Sequence, residues 1–220
     1  MEQKSSQPGS SFGMYLGVFI TFEGCEGSGK TTQALKLKEY LEGKGKEVLI
    51  VREPGGTPLG EKIRELVLGS EKKVEIAPVA EALLFAADRA QLVKDVIRPA
   101  LDRGVIVIGD RYVDSSLAYQ GVARGCGLEA VKNLNEWATE DLEPNLTVFL
   151  DLPVAEGLAR SRAANADRIE SEKVEFHENV RSGYSMLQKI FSYRYAVVDA
   201  RGTKEEVHSR ILGEVEKITS

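Results

Sequence analysis

Gly24-Cys25-Glu26-Gly27-Ser28-Gly29-Lys30-Thr31 has the spacing G-x-x-x-x-G-K-[ST], set between an apolar run at 17–23 and a helix-like stretch from Thr31. That context gives the spacing its chemistry. Glycines let successive backbone N–H groups turn toward one point, and the N-terminus of the next helix adds positive potential there, so a phosphate chain is cradled. The lysine can reach the outer phosphates of a nucleoside triphosphate, and the hydroxyl beside it can ligate Mg²⁺. Gly24, Cys25, Glu26, Gly27, Ser28, Gly29, Lys30, Thr31 and Thr32 are therefore the expected nucleotide-binding residues. The alternative, a glycine-rich turn with a capping threonine, is the weaker reading of the run.

A second set of residues lies further along the chain. The run VIVIGD ends in Asp110, followed by Arg111. A carboxylate there can orient a hydrated Mg²⁺ opposite Thr31, although an aspartate at a strand end also caps helices. Arg52, Arg64, Arg89, Arg111, Arg160, Arg162 and Arg168 sit in loop and helix positions. Guanidinium forks bind phosphate through paired hydrogen bonds, so the set suits a second, phosphorylated substrate. Pro54-Gly55-Gly56 forces a turn that leaves room for a ligand. Phe85 and Arg89 are four apart and share a helix face, where a ring can stack a base and an arginine can meet its edge. Ordinary core packing beside a surface charge gives the same pattern. The Arg- and Ala-rich stretch 159–170 suits a short mobile lid that excludes water from phosphoryl transfer. The guanine-reading NKxD and the transporter signature LSGGQ are both absent.

These residues need elements to hold them. Short apolar runs at 17–23, 47–51, 105–109, 146–152 and 195–200 read as five strands, each near-continuous as in a sheet covered on both faces. Helical stretches are expected at Thr31–Leu41, Glu61–Leu68, Val79–Leu101, Leu128–Glu140, Ser171–Phe191 and Lys204–Ile218. The alternation predicts an α/β fold with a parallel sheet and helices on both faces. Ligands in such sheets sit beyond the carboxyl ends of the strands, where the residues above fall. One domain, 14–220, is expected. The polar segment 1–13 reads as a disordered extension or cloning remnant.

Composition narrows the function classes. With 220 residues and a net charge of −5, the chain has no general footprint for nucleic acid, so any anion must be held by a local cluster. Cys25 and Cys126 form no CxxC, which argues against a zinc ribbon or disulfide framework. His177 and His208 lie in charged surroundings and are expected to be solvated. No stretch reads as a signal peptide or membrane span, so the cytoplasm is expected.

The ordered set FEGxEGSGKTT, REPGGT, FAADR, GDRYxDSSLAYQG and DRIE, running from Val18 to Arg201, resembles bacterial thymidylate kinase, a P-loop nucleoside monophosphate kinase. The resemblance implies the three-layer P-loop NTPase fold, ATP and Mg²⁺ as cofactors, dTMP as acceptor and a homodimer. It implies that Phe85 stacks on thymine, that Arg89 and Gln120 read its edge with Ser116 nearby, and that Tyr119 packs beneath the sugar. Arg52, Arg64 and Arg111 match the acceptor-phosphate arginines, in a pocket that includes Glu53 and Pro54. Glu26 matches the acidic residue near the acceptor sugar. Lys30, Glu26, Arg111 and the lid arginines are the implied catalytic set, with Thr31 and Asp110 at the metal. Gly27 in mid-loop implies that the transition-state arginine comes from the lid: Arg160 first, then Arg162 or Arg168. Two other readings stand beside this one. A kinase for a neutral acceptor such as a deoxynucleoside would not need the arginine cluster, and a non-catalytic nucleotide switch would show no acceptor-dependent turnover.

Overall fold

Five runs of β-branched and aromatic residues form strands β1 (Phe19–Glu23), β2 (Val48–Arg52), β3 (Ile106–Asp110), β4 (Leu146–Asp151) and β5 (Tyr195–Asp199). In this computed structural model, which describes residues 15–69, 75–161 and 167–219, they pair in the order β2-β3-β1-β4-β5, all parallel. β1 is central: the chain crosses from it to the edge strand β2, returns to β3 beside β1, and only then passes to β4 and β5 on the other side, which opens a crevice at the carboxyl ends of β1 and β3. This is the P-loop NTPase arrangement.

Both faces are covered, so the strands carry apolar residues on both sides. Ile20 and Phe22 pack with Leu37 of α1 (Lys30–Gly43) and Ile211 of α9 (Lys204–Thr219). Phe19 faces the other way, onto Leu92 and Leu101. Each such fully buried side chain contributes about 1.5–3 kcal/mol. Thr21 and Glu23 follow Phe19 by two and four residues on that second face, and both are fully buried there.

Several elements depart from the expected ones. α2 (Pro58–Leu68) starts three residues early, because Thr57 Oγ1 accepts from Gly60 N at 2.9 Å and Pro58 fits the first turn. The expected helix 79–101 is instead α3 (Pro78–Leu92), a π-helical stretch Val93–Ile97 and α4 (Arg98–Asp102). Pro99 gives the reason: it has no N–H for the carbonyl four residues back, and the rod widens just before it. Residues 113–123, to which the sequence pattern assigns no element, form α5 (Val113–Ser116) and a π-helical stretch Leu117–Ala123. α6 (Leu128–Thr139) is as expected to within a residue, α7 (Val154–Ser161) runs into the start of the expected lid, and α8 (Val174–Ile190) starts three residues late. The extension 1–13 and residues 162–166 of the expected lid lie outside the described residues.

The histidine expectation is corrected for His177. It lies on the buried face of α8, 1% exposed, with its ring edge-on to Phe176. Its neighbours in sequence are charged, but its position three before Val180 puts it on the apolar side of the helix.

Candidate active site

The loop after β1 turns sharply into α1. A side chain at Gly24, at φ +146°, would meet Leu150 O at 2.7 Å, so the loop lies tight on the end of β4. Lys30 follows as the first residue of α1 and is buried, its Nζ donating to Gly24 O at 3.1 Å and Cys25 O at 2.9 Å. Burial, joined by the charge of Arg111, holds its pKa below the usual lysine range despite Glu26 and Asp110. Cys25 is buried under the loop, where desolvation pushes its thiol up to about 11, so it is inert at neutral pH.

The register of β1 with β3 sets Phe22 beside Asp110 and so brings the two strand ends together. Thr31 Oγ1 donates to Asp110 Oδ2 at 2.5 Å. Both are hard oxygen donors, and among the described residues Asp110 pairs with no cationic side chain.

Across the crevice, Arg111 holds a positive φ of 73°. Its Nη1 donates to Ser115 Oγ at 3.1 Å and Gly24 O at 3.3 Å, while Nη2 donates to Glu26 and to Tyr119 OH. Tyr119 OH in turn donates to Glu26 at 2.9 Å. Burial alone would raise the Glu26 pKa. The charges of Arg111 and Lys30 and the Tyr119 hydrogen bond outweigh it and hold the carboxyl at about 2. Burial also works against the charge of Arg111, and Glu26 leads the groups that drive its pKa well above the usual value.

Loop and crevice open into one cavity of about 480 Å³. Glu26, Gly27, Gly29, Lys30, Thr31 and Thr32 line one end, with Asp110 and Arg111 between. Arg52, Glu53, Pro54, Arg64, Phe85, Tyr119 and Gln120 line the other, and Arg160 of α7 also lines the cavity, its Nη1 donating to Ala200 O at 3.2 Å. Arg64 Nη1 donates to Pro54 O at 2.8 Å, which turns it back toward the Pro54 turn. Arg52 is exposed and paired with Glu61 at 3.1 Å.

Three expected residues stand elsewhere. Arg89 is 1% exposed, donates to Glu53, Ser116, Asn135 and Tyr112 O, and pairs ionically with Glu53. It fixes Glu53 and does not line the cavity. Ser116 is buried beneath it. Arg168 donates to Val67 O at 2.8 Å and to Glu81, so it anchors the end of the lid segment and is not aimed at the phosphates. Arg162 lies outside the described residues. Gly24, Cys25 and Ser28 support the loop from below without lining the cavity.

Sequence reasoning missed Glu23, Ser115 and Glu81. Glu23 is fully buried and accepts from Tyr112 N at 2.8 Å, Ser115 Oγ at 2.6 Å and Tyr184 OH at 2.8 Å. Ser115 carries this support on to Arg111. The only sequence signal was a charged residue closing an apolar strand.

A family model described as thymidylate kinase matches residues 22–211. A curated thymidylate kinase of Caldanaerobacter subterraneus subsp. tengcongensis is 48% identical over 201 residues, 91% of this chain and 96% of that protein. One from Clavibacter michiganensis subsp. michiganensis is 50% identical over 197 residues, 89% of this chain and 92% of that protein. The crystal structure of thymidylate kinase from Ehrlichia chaffeensis superposes with a TM-score of 0.74 at 32% identity, covering 90% of this chain and 98% of that one.

Proposed function

The chain belongs to the thymidylate kinase family, and from that premise we propose that it transfers the γ-phosphoryl group of ATP to dTMP, giving dTDP and ADP. One observation carries this: the phosphate loop and an arginine-bearing acceptor pocket open into a single cavity, so donor and acceptor phosphates can meet in line.

The acceptor phosphate is already ionised, so no strong general base is needed. Catalysis is positioning and charge neutralisation around a loose transition state. Loop N–H groups hold the donor phosphates, and Lys30 leaves its two loop carbonyls to meet them. Arg111 and Arg64 hold the acceptor phosphate, with Arg52 at the rim. Glu26 competes with that phosphate for Arg111 and keeps the guanidinium aimed while the site is empty. Phe85 is the platform for the base, and Arg160 is the lid arginine that supplies charge at the transferred group. Thr31 in the first turn of α1 and Asp110 at the end of β3, both oxygen donors, would hold Mg²⁺, which would neutralise charge on the donor phosphates. Two free thiols suit a reducing compartment, and we place the protein in the cytoplasm as a homodimer.

ADP release coupled to a reporter tests the reading. Turnover should require dTMP, stop on chelation of Mg²⁺, and fall by about 10²–10³ in Lys30→Ala with the fold intact. Wild-type turnover in that variant would remove the loop from the mechanism.

A further inference from the structure

Gln120 and Glu81 meet at the buried back of the acceptor pocket. Glu81 is in the first turn of α3, fully buried, one helical turn before the Phe85 platform and on the same face. Gln120 sits in the π-helical stretch 117–123. The widened turn there lets two consecutive side chains, Tyr119 and Gln120, line the same cavity.

The Glu81 carboxylate receives only donors. Its Oε1 accepts from Gln120 Nε2 at 2.8 Å and from Arg124 Nε at 3.3 Å, and its Oε2 accepts from Arg168 Nη2. Burial would raise its pKa, but the Gln120 and Arg168 hydrogen bonds and the charges of Arg124 and Arg168 together bring it below the usual carboxylate value. An ionised carboxylate has no proton to offer. The amide of Gln120 therefore has one permitted orientation. Turning it over would set its carbonyl oxygen against the carboxylate, two buried acceptors facing each other. Gln120 Oε1 takes no hydrogen bond from the described residues and is left to face the cavity, with the second Nε2 proton beside it.

We propose that Glu81, by holding the Gln120 amide in this orientation, makes the pocket select pyrimidines that carry a proton on ring nitrogen N3. The proposal rests on the acceptor being a pyrimidine monophosphate, as argued above. Thymine and uracil present an N3–H between two carbonyls. Gln120 Oε1 accepts that proton, and its free N–H serves one neighbouring carbonyl. Cytosine presents a bare N3 acceptor and meets Oε1 acceptor to acceptor. Discrimination then comes from a repulsive contact as well as a missing bond. Glu81 is a positioning residue that acts through Gln120. Arg168, which ends the lid segment, and Arg124 keep it charged.

The test is the ratio of kcat/KM for dTMP to that for dCMP, measured in the wild type, Glu81→Gln and Glu81→Asp. In Glu81→Gln residue 81 can donate as well as accept, so the Gln120 amide is free to turn and pair with cytosine. The ratio should fall by about tenfold or more, largely through a rise for dCMP, with KM for ATP within about twofold of wild type. Glu81→Asp keeps an acceptor-only carboxylate and should keep the preference for dTMP. A folded Glu81→Gln with the wild-type ratio overturns the proposal. If that variant does not fold, the wild type decides with N3-methyl-dTMP: rejection supports the proposal, and turnover equal to dTMP overturns it. A wild type that phosphorylates no pyrimidine monophosphate would contradict the kinase function itself.

Discussion

Glu23 and Glu26 stand three residues apart around the start of the phosphate loop, yet their surroundings drive their carboxyls in opposite directions. Burial, then the charge of Asp114, pushes Glu23 up to about 7 against the hydrogen bonds it accepts. Glu26 is held at about 2 by the cations of the site. The consequences for stability have opposite signs. The raised carboxyl of Glu23 stabilises the fold fully below its unfolded value near 4.5, and that contribution fades as pH rises through about 7. The depressed carboxyl of Glu26 contributes above 4.5 and loses its contribution as pH falls toward 2. Glu23→Gln, which imitates the protonated form, should flatten the first dependence. Thermal unfolding from pH 5 to 8 should show the wild type losing about 1–3 kcal/mol relative to the variant, and parallel curves would contradict this. At this scale the loop residues were legible because their spacing is local. Glu23 was not, because its partners Ser115 and Tyr184 lie 92 and 161 residues away.

Among the elements, the loop and the lid helix meet backbone to backbone. A side chain at Gly27, at φ +70°, would strike Gly157 O at 2.0 Å, and one at Gly157 would strike Glu26 O at 2.3 Å. Gly27 is thus required by α7 as well as by the phosphates. This gives a structural reason for a mid-loop position that carries no arginine of its own. Alanine is the better helix former, by about 1 kcal/mol, so Gly157→Ala would help α7 if space allowed. The clash is with backbone, which cannot swing aside, and overpacking of about 1–3 kcal/mol outweighs the gain. The variant should melt lower and lose about tenfold or more in kcat/KM for ATP. Calorimetry with steady-state kinetics checks this, and a variant as stable and active as the wild type contradicts the coupling. Element identity was legible from period and length. The helix at 113–123 was not, because a π-helical turn breaks the 3.6-residue spacing that would have marked it.

Taken whole, the molecule exposes large apolar side chains on three helices that pack side by side. Leu59 and Leu66 of α2, Val79 and Leu83 of α3 and Trp137 of α6 are all open to solvent, Trp137 at 82%. The proposed homodimer would cover these side chains, and light scattering should give twice the chain mass. A monomer at assay concentration would contradict the homodimer. Fold class and chain path were legible in the alternation of strands and helices, since parallel strands buried on both faces must read as unbroken apolar runs. The order β2-β3-β1-β4-β5 was not, because no local pattern says which strand lies beside which. The measurement that bears most directly on the whole account is coupled ADP release with ATP and Mg²⁺ against a panel of nucleoside monophosphates. The account predicts rapid release with dTMP and much weaker release with UMP and CMP, all lost in Lys30→Ala; equal turnover of every pyrimidine monophosphate, or none with dTMP, would contradict it.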